Sequence, residues 1–179
     1  AFYIQADEVV PEWHHETIAA ACKKYEKDEK VEGLLFDYLH FYGNYKYVAD
    51  HRRWYKYEVR IIRSNRNISS YKDAQGFRVG NRKILVQPIN ACIFHYGWVK
   101  TPKQMMKKLN ISSQFWVENA ANQTNQQFNE AFDFTDYQSI TLYNGKHHEV
   151  MRERISAHHL DLELDVAKKN MSFIDYILY

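Results

Sequence analysis

The sequence predicts an α/β domain in which helices flank a mixed sheet. Three observations lead there. The apolar run Phe2-Tyr3-Ile4 stops at two carboxylates, Asp7 and Glu8, as a buried strand does when it delivers acids to the mouth of a sheet. Apolar residues then recur at helical spacing, with Ile18, Ala21, Cys22 and Tyr25 on one face. Further along, short apolar or alternating runs are separated by turn clusters. With 179 residues the chain is long enough for one domain with a sizeable core.

Pro11 suits a first helical turn, where a missing N–H costs nothing, so the first helix runs roughly from Glu12 to Tyr25. Lys23 to Lys30 is a charged, solvated exit. Gly33 to Tyr42 reads as a buried strand or strand-loop closed by Gly43-Asn44. From Trp54 to Arg63, Tyr55, Tyr57, Val59 and Ile61 alternate with Lys56, Glu58 and Arg60, which predicts a strand with the charged face in water. Ser64 to Asn67 is a turn. Tyr71 to Arg78 is a polar loop of the kind that carries functional groups, or a plain hairpin connection.

Gly80-Asn81 turns the chain into a strand at Lys83 to Gln87, and Ala91 to Phe94 is a further short strand ending in His95-Tyr96-Gly97-Trp98-Val99-Lys100. Thr101-Pro102-Lys103-Gln104 has the form of a capping box, opening a helix with Met105, Met106 and Leu109 as its apolar face. Gln114 to Gln127 reads as a helix plus a loop, and Phe128 to Phe134 carries aromatics with acids. Gln138 to Tyr143 reads as a short strand, His147 to Ile155 as a helix, and Asp161 to Tyr179 as an amphipathic tail.

Composition narrows the function. The net charge of +2 is too small to argue for nucleic acid. Apolar runs stay well short of a membrane span, and no signal peptide is visible. Cys22 and Cys92 match no zinc spacing and are expected reduced and buried, in a cytoplasmic protein. The four Asn-x-Ser/Thr patterns, at Asn67, Asn110, Asn122 and Asn170, then carry no meaning. His14, His15, His40 and His51 lack ligand spacing, and the pairs His147-His148 and His158-His159 point apart on a helix and read as surface. Aromatics at 16% suit either a surface that stacks on sugars or bases or an aromatic core. The acidic pair itself serves either a helix start or a divalent metal that holds phosphate.

Three stretches in order resemble family 2 glycosyltransferases of GT-A fold. Phe2 to Val10, with Gln5-Ala6-Asp7-Glu8, is similar to the acidic signature of that family; Gln5 stands where the motif has its first Asp. His95 to Lys100 is similar to the histidine segment of bacterial members, and Arg60 to Arg78 follows the usual order between them. The resemblance implies a nucleotide-sugar donor, a glycan or lipid-linked acceptor, and Mn²⁺ or Mg²⁺. Asp7 and His95 would hold the metal. Asp73 would be the catalytic base of an inverting transfer, with Glu8 or Glu58 next in line for that role. Gln5, Arg60, Arg78, Trp98 and Lys100 would contact the donor's sugar or diphosphate.

The resemblance covers 1–109, the C-terminal part of a catalytic domain, with 110–179 expected as a helical extension packed on it. The nucleotide-binding half that would precede Ala1 is expected to be missing, and this stretch alone to be inactive. A cytoplasmic place, at the inner face of the membrane if peripherally attached, is implied for polysaccharide biosynthesis, and a homo-oligomer is compatible with it. The alternative is a non-catalytic carbohydrate-binding module. Such a module has no need of a strand-end carboxylate facing a histidine.

Overall fold

The computed structural model describes residues 1–51, 54–64, 66–71, 76–116 and 131–170. The sheet is mixed. Its centre is β2 (Gly33–Tyr42), which pairs along its length with β8 (Val86–Trp98) in parallel. The other edge of β2 is shared by β4 (Tyr57–Ile62) and β3 (Tyr47–Ala49), both antiparallel. The outer strands are β1 (Glu8–Val9) on β8 and β9 (Ile140–Leu142) on β3. A separate small sheet is formed by β5 (Ser69–Ser70), β6 (Phe77–Val79) and β7 (Arg82–Lys83).

Among the described residues three α-helices accompany the sheets. In α1 (His15–Tyr25), continued from a tight turn at Glu12–His14, Ile18 joins Leu34, Phe36, Tyr38, Ala91 and Ile93 in one apolar cluster. In α2 (Pro102–Trp116), Met105 is fully buried with Tyr42 and Tyr47. Its start carries the capping box: Gln104 N–H donates to Thr101 Oγ1, while Thr101 N–H donates to Gln104 Oε1. The third, α3 (Arg152–Ser156), is short. Among the described residues no helix is long and apolar enough to cross a membrane.

The structure departs from the sequence reading in four features of the fold, and His148, read as surface, is buried. Phe2-Tyr3-Ile4 is not a central strand: Phe2 and Ile4 are each 47% exposed. Residues 1–3 instead lie along β4, with Tyr3 N–H donating to the carbonyl of Arg60 and Phe2 stacked on Phe36. Because β4 and β8 flank β2 on opposite sides, residues 4–7 carry the chain across it. The second departure is β4 itself, whose alternation is right and whose faces are reversed. Tyr57 is 58% exposed, whereas Glu58 and Arg60 are buried. Third, the described part of 110–179 is not a helical extension, since β9 completes the main sheet and Phe134, Tyr137, Ile140 and Leu164 enter the core around Tyr42. Aromatic supply thus goes largely to packing. Fourth, Cys22 is exposed and Cys92 half-buried, both as free thiols, and burial pushes the Cys92 thiol up to about 12.

Candidate functional site

The strand register decides what meets what. His95 of β8 lies opposite Glu8 of β1 on one side and His40 of β2 on the other. The turn Gln5–Glu8, closed by Glu8 N–H donating to the carbonyl of Gln5, sets Asp7 beside the same strand, where Tyr96 N–H donates to the carbonyl of Asp7. Asp7 Oδ2 thereby stands 3.4 Å from His95 Nε2. Lys108 of α2 closes the corner, with Nζ 3.1 Å from Asp7 Oδ2 and donating to the carbonyl of Gly97 at 3.0 Å. His95 when protonated, together with Lys108, holds the Asp7 carboxyl well below the usual carboxylate range, against the opposing effect of burial.

Gly97 lets this corner come together. A Cβ there would collide with His95 Nε2 and stand 2.5 Å from Asp7 Oδ2 and 2.7 Å from Lys108 Nζ. A side chain at this position would therefore press apart the carboxylate oxygen, the imidazole nitrogen and the ammonium that meet over the glycine. Among the described residues no three His, Cys, Asp or Glu side chains gather around one point, so an all-protein metal cage is not formed there. One carboxylate and one imidazole do fit a cation whose other positions are taken by water and substrate phosphates; the mixed oxygen and nitrogen set suits Mn²⁺ better than Mg²⁺. Lys108 can swing on its flexible stem from Asp7 to a phosphate.

Asp7 lines a cleft of about 1120 Å³ whose walls include Lys100, Lys107, Lys108 and Arg154. Among the described residues lining it, Asp7 is the one carboxylate, so the cleft is built for an anion. Burial and the charge of Lys108 lower the pKa of Lys100.

Beneath the corner runs a buried polar row. Arg60 Nη2 and Nε donate to the carboxylate of Glu8 at 2.6 and 2.9 Å, and Arg60 Nη1 donates to Glu58 at 3.1 Å. Tyr38 Oη donates to Glu8 Oε1 at 2.5 Å, and burial followed by that bond raises the pKa of the phenol. Arg60 is 2% exposed and Glu8 6%. Two expectations are corrected here: Glu8 is enclosed by Arg60 and Tyr38 rather than open to an acceptor, and Arg60 is spent on Glu8 and Glu58 rather than facing a diphosphate. The inward charged face of β4 has the same cause, since Arg60 must meet the buried carboxylate of β1.

The remaining expected residues scatter. Lys100 lines the Asp7 cleft. Trp98 is half-buried, stacked on Tyr42 and edge-on to Trp54. Arg78 lies in the small sheet, over the Tyr71 ring at 3.9 Å, and lines a different cavity with Tyr55 and Phe77. Gln5 contributes its backbone to the turn beside Glu8. Asp73 lies outside the described residues. Sequence reading passed over Lys108, Lys107, Arg154, Gly97 and His40. Lys103, Lys107 and Lys108 in the first two turns of α2, preceded by Lys100, were the available signal for the cleft's charge. No family model, curated protein or solved structure matches this chain.

Proposed function

We propose that this chain is the acceptor-side portion of a GT-A-type glycosyltransferase resembling family 2, which transfers a sugar with inversion from a nucleotide-diphosphate donor to a glycan or lipid-linked acceptor. The observation that carries this reading is the meeting of Asp7 and His95 over Gly97 at the rim of a cationic cleft. A carboxylate set among lysines is poorly suited to holding a phosphate alone. Paired with an imidazole 3.4 Å away, it is well suited to sharing a divalent ion with one.

In the proposed reaction the acceptor hydroxyl attacks the anomeric carbon while the bond from that carbon to the diphosphate oxygen breaks. The hydroxyl proton passes to a carboxylate, for which Asp73 is the candidate from the resemblance. The departing nucleoside diphosphate gathers negative charge, and Lys100, Lys107, Lys108 and Arg154 offset it from the cleft walls. A metal held by Asp7 and His95 would supply further charge neutralisation at the diphosphate. A binding module remains the second reading because Trp54, Tyr55 and Tyr57 line a cavity of about 490 Å³ together with Asp37, a set suited to a sugar face.

Calorimetric titration with pyrophosphate, with and without Mn²⁺, tests the reading, joined by an assay of Mn²⁺-dependent turnover of uridine and guanosine diphosphate sugars. Metal-dependent pyrophosphate binding that disappears in Asp7→Ala and in His95→Ala supports it. Metal-independent binding unchanged in both variants overturns it. Glycan binding without turnover or metal dependence selects the module.

A further inference from the structure

The tautomer of His95 is set by a chain of contacts that ends on a backbone carbonyl. His95 Nδ1 lies 3.0 Å from His40 Nδ1, and His40 Nε2 lies 3.1 Å from the carbonyl oxygen of Tyr55. A carbonyl oxygen only accepts, so His40 Nε2 carries a hydrogen. His40 is buried, with Tyr38 edge-on at 4.7 Å and Trp54 and Tyr55 also against its ring. A second proton would place a cation among these rings beside another imidazole, so the ring is neutral and its Nδ1 is a bare acceptor. The hydrogen between the two rings therefore belongs to His95 Nδ1. When His95 is neutral, its Nε2 then has no hydrogen, and its lone pair faces Asp7 Oδ2 at 3.4 Å over Gly97.

We infer that His40 is a positioning residue that holds His95 in the Nδ1–H tautomer, presenting the Nε2 lone pair to a divalent cation shared with Asp7. The direction of the hydrogen-bond chain requires the hydrogen on His95 Nδ1. The reverse assignment, with His95 Nε2–H pointing to Asp7 and His40 Nδ1–H pointing to His95, leaves the bare Nε2 of a neutral His40 against the Tyr55 carbonyl, two lone pairs 3.1 Å apart. A metal-bound histidine ordinarily gives its other N–H to a partner that fixes ring and tautomer. Here that partner is a second histidine, itself held by the main chain of the segment leading into β4. His40 is also the register partner of His95, so the parallel pairing of β2 with β8 places one ring at hydrogen-bond distance from the other.

The metal part of this inference rests on the proposed function; the tautomer does not, and the two are tested separately. Two-dimensional ¹⁵N–¹H correlation of the imidazoles in the metal-free full chain, at about pH 8 where an ordinary histidine is neutral, reads the tautomer directly. The expected result is Nδ1–H for His95 and Nε2–H for His40. A His95 that carries a hydrogen on Nε2 at this pH, as the neutral Nε2–H form or as an imidazolium paired with Asp7, overturns the inference whatever the chain does with metal. Mn²⁺ titration then reads the consequence. His40→Phe, which fills the space and cannot accept, should weaken Mn²⁺ binding roughly 10- to 100-fold and release His95 to the other tautomer. His40→Asn, whose Oδ1 can accept in place of Nδ1, should keep the His95 tautomer and recover most of the affinity. A folded His40→Phe chain with unchanged tautomer and affinity refutes the positioning role. Loss of Mn²⁺ binding from the parent protein, with the tautomer as assigned, removes the metal reading alone.

Discussion

A Cβ on residue 97 would stand 2.5 Å from Asp7 Oδ2, so Gly97 is the residue whose smallness leaves the space in which Asp7 and His95 meet. Gly97→Ala should therefore abolish Mn²⁺-dependent pyrophosphate binding while leaving much of the fold intact. Overpacking of this kind costs roughly 1–3 kcal/mol when the neighbours can shift. Calorimetry on the variant, with circular dichroism to confirm folding, checks both parts. A Gly97→Ala chain that binds as the parent does would mean that the space is not used.

Lys108 neutralises Asp7 in the ligand-free protein, and the same ammonium faces the cleft. Removing it should act in opposite directions on two ligands. In Lys108→Gln, Mn²⁺ alone should bind more tightly, by on the order of 2- to 5-fold, the yield of one partly exposed ion pair. Pyrophosphate in the presence of Mn²⁺ should bind more weakly. The two titrations, run at the same ionic strength, would contradict this account if both affinities moved the same way.

Glu8 and Arg60 form a buried pair with two parallel contacts, and Tyr38 gives its hydroxyl hydrogen to the same carboxylate. Glu8→Gln leaves the guanidinium buried without its main counter-charge and should lower stability by about 3–5 kcal/mol. Tyr38→Phe removes one hydrogen bond and should cost about 1 kcal/mol. Urea unfolding measures both. A Glu8→Gln protein of parental stability would contradict the structural role assigned to Glu8.

His148 is buried in a ring sandwich, stacked on Trp13 at 5.6 Å and edge-on to Phe94 at 4.6 Å. Burial, partly offset by Glu12, pushes its imidazole from 6.5 down to about 4. Between those values the unfolded chain binds a proton that the folded protein refuses, so acid favours unfolding. The contribution is complete above pH 6.5 and is lost as the pH falls towards about 4. Its full size is about 3 kcal/mol. His148→Phe should flatten the stability curve across this window; a slope identical to the parent's would show that His148 takes no part in it.

Local chemistry was legible in the sequence. The cap at Thr101 and Gln104 joins residues three apart, and the helix from Glu12 to Tyr25 and the strand from Gly33 to Tyr42 declare themselves by spacing that their own neighbours establish. Asp7 and His95 were named as a pair because each ends or follows an apolar run, and the structure brings them together. Tertiary structure decided the rest. Period two in β4 says that two faces differ; which face is buried depends on what the neighbouring strand offers, and β1 offers a carboxylate that draws Arg60 and Glu58 inward. The run Phe2 to Ile4 is apolar enough for a central strand, but β2 already has partners on both edges, so the run lies on the outer edge of β4. Lys108, His40 and the space over Gly97 acquire meaning only through register and helix placement, because contacts between residues 55 to 101 positions apart leave no periodic trace in the chain.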